Sequence, residues 1–65
     1  MKEQKFEFSY SVIELKRNGY YEYYLSKENH GDLFFMYGTL KRCDPTAEMV
    51  EEFAAHAITK KFWGE

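Results

Sequence analysis

Cysteine is almost missing from this sequence. Cys43 stands alone, so no disulfide can form within the chain. Its two histidines, His30 and His56, lie far from Cys43 in sequence, and no Cys/His cluster has the close spacing of a structural metal site. Proline occurs once and glycine four times, which together with the aromatic content argues against disorder. No apolar run approaches the roughly 20 residues needed to span a bilayer. The longest, Leu33–Tyr37 ("LFFMY"), is the size of a strand. The opening "MKEQKFEF" has no apolar stretch of the kind found in a secretory leader. These absences, with the lone thiol, point to a reducing, cytoplasmic setting and to no membrane partner. The formal net charge of −2 gives no bulk attraction for a polyanion.

These absences create a stability problem. A chain of 65 residues allows one domain, spanning 1–65. A domain of that size buries only about 60% of its unfolded surface, and the usual aids are disulfides, metals or oligomerisation. The first two are missing here, which leaves a rich core or self-association.

Aromatic residues are what the chain has in excess: six Tyr, six Phe and one Trp, 20% of the sequence. Each ring can bury on the order of 150–250 Å². In "KFEFSYSVIELK" the residues Phe6, Phe8, Tyr10 and Val12 alternate with polar ones, the period of a half-buried strand. The phase slips at Val12-Ile13, after which Ile13 and Leu15 are the apolar residues. Either a β-bulge or a strand covered on both faces accounts for the slip. Asn18-Gly19 follows, a strong hairpin signal. A two-residue loop would pair Ile13 with Tyr24. A three-residue loop would pair Ile13 with Tyr23 and collect Ile13, Leu15, Tyr21, Tyr23 and Leu25 on one face. That cleaner apolar face favours the three-residue loop, although it sets Glu14 opposite Glu22.

The polar stretch Ser26–Asp32 reads as a turn, and Leu33–Leu40 ("LFFMYGTL") as a third strand, apolar on both faces, ended or bulged at Gly38. Leu33, Phe35 and Tyr37 take one face of it, Phe34 and Met36 the other. Asp44-Pro45 is placed to open a helix, with Asp44 as the N-cap. Met49, Val50, Phe53, Ala54, Ala57, Ile58 and Phe62 make one helical stripe, and Gly64 is a stop signal. The expected fold is α+β: a three-stranded antiparallel meander followed by one helix on one face, β-β-β-α.

No arrangement of residues argues for an enzyme or a cofactor. Cys43 precedes the helix start, but His56 lies three turns along, roughly 18 Å away at 1.5 Å per residue, too far to act as its base. Glu52 and His56 share a helix face, and Glu48, Glu51 and Glu52 suit the helix N-terminus, both ordinary for a solvated helix. The aromatic surplus remains. One helix covers one sheet face, so the other would expose Val12, Tyr20, Tyr24 and one parity of the third strand, Phe34 and Met36 or else Leu33 and Phe35, with Trp63 as a further anchor. Exposed patches of such residues mark interaction sites. The expected function is a small interaction or regulatory protein, homodimeric through that face. The alternative is a single-stranded nucleic-acid-binding module, with Tyr20 and Tyr24 stacking on bases and Arg17, Lys41 and Arg42 on phosphates.

Overall fold

The fold is that of a computed structural model describing residues 2–63, the side chain of residue 8 excepted. It is α+β, with an antiparallel sheet and one C-terminal helix, and the sheet has four strands rather than three. The strands are β1 (Lys2–Phe6), β2 (Tyr10–Arg17), β3 (Tyr20–Lys27) and β4 (Leu33–Thr39), in the order β1-β2-β3-β4; the helix α1 spans Ala47–Thr59.

The extra strand comes from a turn inside the segment expected to be one long strand. A single 3-10 turn, Glu7–Ser9, folds β1 back on β2, with Phe6 opposite Tyr10. Ser9 takes the left-handed conformation (φ 66°), and its carbonyl accepts the Glu28 N–H at 2.8 Å. A three-residue loop returns the chain in the same side-chain parity, so Phe6 and Tyr10 still share a face and the alternation runs on across the turn.

The slip at Val12-Ile13 is not a bulge. β2 pairs with β3 without a break from Tyr10 to Arg17, and Val12 and Ile13 are buried on opposite faces. The one register shift lies between β3 and β4, where Tyr23 faces Tyr37 and Tyr24 faces Phe35, leaving Met36 as the extra residue. Tyr37 is thereby turned away from the face of Leu33 and Phe35. The bulge sits at Met36 rather than at the expected Gly38.

The β2–β3 loop has two residues, not the three favoured by the apolar pattern. Arg17 pairs with Tyr20, Ile13 with Tyr24 and Glu14 with Tyr23. Gly19 has φ 89° while Asn18 stays at negative φ, the sign pattern of a type II turn. A one-residue change of register moves every side chain to the other face. Ile13 and Leu15 therefore leave the helix side, and Val12 and Glu14 replace them. The apolar pattern misleads here because Glu14, polar by type, points inward, its carboxylate buried and fully paired.

The helix is capped by Thr46, not Asp44: the Thr46 hydroxyl accepts the Met49 N–H at 3.3 Å. Asp44 instead meets the Lys2 ammonium at 3.4 Å on the surface. Pro45 is buried and confines the residue before it to extended backbone, which delays the helix start. At the other end Lys61 is left-handed (φ 57°). Its N–H donates to Ile58 O and that of Phe62 to Ala57 O, both at 2.9 Å, which is a Schellman closure. The expected stop at Gly64 lies outside the described residues.

α1 lies over β3 and buries Val50, Ala54 and Ala57 against Val12, Tyr23, Leu25 and Met36. Ile58 and Phe62, placed in the buried stripe by spacing, are 54% and 38% exposed. The Schellman turn carries Trp63 back onto the sheet, buried beside Tyr10 (ring centroids 5.6 Å apart). No helix among the described residues is long and apolar enough to cross a membrane.

Candidate functional site

Tyr23 and Tyr24 point to opposite faces of β3, as strand geometry requires, and each anchors a cluster of the same chemistry. On the helix side, Tyr23 Oη donates to Glu14 Oε2 at 2.9 Å. Arg42 donates to Glu14 Oε1 from Nε at 3.2 Å and from Nη2 at 3.0 Å. Tyr23 Oη also accepts the Cys43 N–H at 2.6 Å. The segment after β4 is tied to the sheet by these bonds. The Arg42 guanidinium holds the Glu14 carboxyl below the usual carboxylate range, with burial opposing it and Tyr23 assisting. Burial pushes the Tyr23 hydroxyl up to about 12.

On the face away from the helix, Tyr24 Oη donates to Glu22 Oε1 at 2.8 Å and Tyr20 Oη to Oε2 at 3.4 Å. Arg17 Nε donates to Glu22 Oε1 at 2.7 Å. The Arg17 bond is the main reason that the Glu22 carboxyl titrates below its ordinary value, followed by the bond from Tyr24.

The sequence-predicted residues divide between these faces. Tyr20 and Tyr24 lie on the uncovered face. Val12, Met36 and Trp63 are buried in the core on the helix side, and Phe34 is half-buried against it, in edge contact with Phe62 (5.3 Å). The two-residue loop explains Val12. The β4 pairing explains Phe34, which stands opposite Leu25 on the helix side, and the bulge adds Met36 to the same side. In their place the uncovered face carries Ile13, Leu15, Leu33 and Phe35 with the two tyrosines. Phe35 is 51% exposed and meets Tyr24 edge-on at 5.4 Å. The hairpin loop length was the signal that would have found Ile13 and Leu15, while the sides of Leu33 and Phe35 follow from the β3–β4 pairing.

The basic residues do not converge. Arg17 and Arg42 lie near one end of the sheet but on opposite faces, each already bonded to a glutamate. Lys41 is exposed between β4 and α1. Cys43 is half-buried with Sγ 3.6 Å from Lys41 O, while His30 stands beside Trp63 and His56 beside Phe53. Among the described residues, no three His, Cys, Asp or Glu side chains come together as a metal site.

A groove of about 570 Å³ opens between α1 and the first hairpin, lined by Phe6, Tyr10, Val50, Ala54 and Ile58. Its lining offers contact surface and no constellation of reacting groups. Comparison of the chain with protein-family models, with curated proteins and with solved structures finds no match.

Proposed function

We propose that this protein acts by binding, as a small interaction or regulatory module that self-associates through the uncovered face of its sheet. The observation that carries this reading is the exposure of Leu33, Phe35 and Tyr20, at 40%, 51% and 39%, on one face with Leu15 and Tyr24. Covering such a patch removes apolar surface from water, at about 25 cal/mol per Å². A second copy would also supply the stabilisation that so short a chain otherwise obtains from disulfides or metals.

The nucleic-acid reading has less support. Glu22 lies between Tyr20 and Tyr24 and holds their hydroxyls and the Arg17 guanidinium, so a phosphate would meet a carboxylate there and would have to displace it from Arg17.

Sedimentation over a range of concentrations tests the proposal. The mass rises from that of the 7.8 kDa chain toward twice that value. A mass that stays at the monomer up to about 1 mM, which holds the association free energy below about 4 kcal/mol, overturns it. Retention of a labelled oligonucleotide at low salt, lost steeply as salt rises, would instead favour phosphate contacts.

A further inference from the structure

Exposure on the uncovered face is uneven. Ile13, inside the sheet, is 9% exposed, whereas Leu33 and Phe35, both on β4, are 40% and 51% exposed. Tyr20 aside, the open apolar surface collects along the β4 edge. β4 is an outer strand with β3 as its one strand partner. Among the described residues, no loop or side chain bonds to the backbone of Leu33–Gly38 from the other side. That edge presents unpaired N–H and C=O groups.

The two outer strands differ in chemistry. β1 reads Lys2-Glu3-Gln4-Lys5-Phe6, and charges of this kind keep an edge from pairing with other chains. β4 reads Leu33-Phe34-Phe35-Met36-Tyr37-Gly38-Thr39, with no charge and no proline. A bare strand edge beside exposed aromatic surface is a template for another strand.

A second copy presents that same uncharged strand, and a twofold axis brings like edges together antiparallel. The bulge at Met36 limits regular pairing to the first half of the strand. With the axis at Phe34, Leu33 of each copy stands opposite Phe35 of the other, and all four side chains stay on the uncovered face.

We infer that the second copy docks along β4, edge to edge and antiparallel, making one eight-stranded sheet with Leu33 and Phe35 packed across its seam. The inference rests on the self-association proposed above and moves its seam to the β4 edge of the open face, where Leu33 and Phe35 lie, instead of stacking the two faces.

Amide hydrogen exchange followed by NMR, together with sedimentation, from about 10 µM to about 1 mM, tests it. As dimer forms, the amides of Leu33–Phe35 that point away from β3 slow by roughly tenfold or more, because exchange then requires the seam to open. The paired substitution Leu33→Lys with Phe35→Lys, at half-exposed positions, abolishes both the dimer and the slowing, while its thermal melt shows that the chain still folds. Glu52→Lys, exposed on α1 and away from the sheet, leaves both in place. A dimer that forms with the β4 amides unchanged overturns the edge assignment and leaves self-association standing. A strict monomer overturns both. The amide measurement on the unsubstituted chain decides the question even if the lysine pair does not fold.

Discussion

Tyr23 and Tyr24 are consecutive residues whose hydroxyls bond to different glutamates on opposite faces of one sheet, Tyr23 to Glu14 at 2.9 Å and Tyr24 to Glu22 at 2.8 Å. The bonds match in length, but their surroundings do not. Tyr23 is 1% exposed and Glu14 is 6% exposed, while Glu22 and Tyr24 are only half-buried. Energetic weight follows burial, because an unpaired polar group is costly only where water cannot replace its partner.

Tyr23→Phe removes the donor to Glu14 and the acceptor for the Cys43 N–H, and so lowers unfolding stability by about 1–3 kcal/mol. Tyr24→Phe costs under about 1 kcal/mol, the range of exposed polar contacts. Urea denaturation of the two variants checks the contrast. Equal losses would show that the two clusters carry the same weight.

Stability falls at both ends of the pH scale for reasons that lie in the Glu14–Tyr23 pair. The folded-state pKa of Glu14 is depressed, so its contribution is present above the unfolded value and is lost as pH drops through the folded one. Tyr23 is shifted the other way, to about 12 from 10.0. Its contribution is complete below 10.0 and is lost between 10.0 and about 12. Denaturant midpoints against pH show the alkaline fall in the native chain. In Tyr23→Phe the part of that fall due to this residue disappears.

Tyr37→Phe raises stability by up to about 1 kcal/mol. The Tyr37 hydroxyl is buried with no hydrogen-bond partner among the described residues, and its ring stacks on Tyr23 at 4.8 Å. Removing the oxygen deletes an unsatisfied group and leaves the stack in place. A melting temperature below that of the unsubstituted chain would show that the hydroxyl has a partner in solution.

Thr46→Ala costs about 1 kcal/mol, the usual loss of an N-cap, whereas Asp44→Ala costs under about 0.5 kcal/mol because its ion pair with Lys2 is on the surface. Lys61→Gly gains about 0.5–1 kcal/mol, since glycine takes the left-handed conformation there without strain. Helix signal and melting temperature, measured together, separate these three. A larger loss at Asp44 than at Thr46 would move the cap.

The helix and the antiparallel sheet were legible because their signals are local: the stripe of Val50, Ala54 and Ala57, the alternation before Asn18, the turn at Asn18-Gly19. The turn at Glu7–Ser9 was not legible. It uses no Gly, Pro or Asn and preserves parity, so it left the pattern undisturbed. The uncovered face was legible as a need, and Tyr20 and Tyr24 were assigned to it. Ile13 and Leu15 were not, because their side depended on one residue of loop length, and for Leu33 and Phe35 a strand apolar on both faces left the parity open. A pattern that treats every glutamate as outward cannot see a buried carboxylate whose partner, Arg42, lies 28 positions away.

Trp63 makes the end of the chain a clasp on its beginning. The indole lies against Tyr10 of the first hairpin and near Phe34 of the last strand, with Nε1–H 3.4 Å from Asp32 O. Closing that contact joins segments separated by nearly the whole sequence, an entropic cost that is met only when sheet and helix have both formed. As the chain's one tryptophan, it is also a built-in fluorophore whose emission reports on that contact. A probe of helix content registers α1 independently. A lag between the two signals in a refolding experiment would time the interval between making the parts and locking them together.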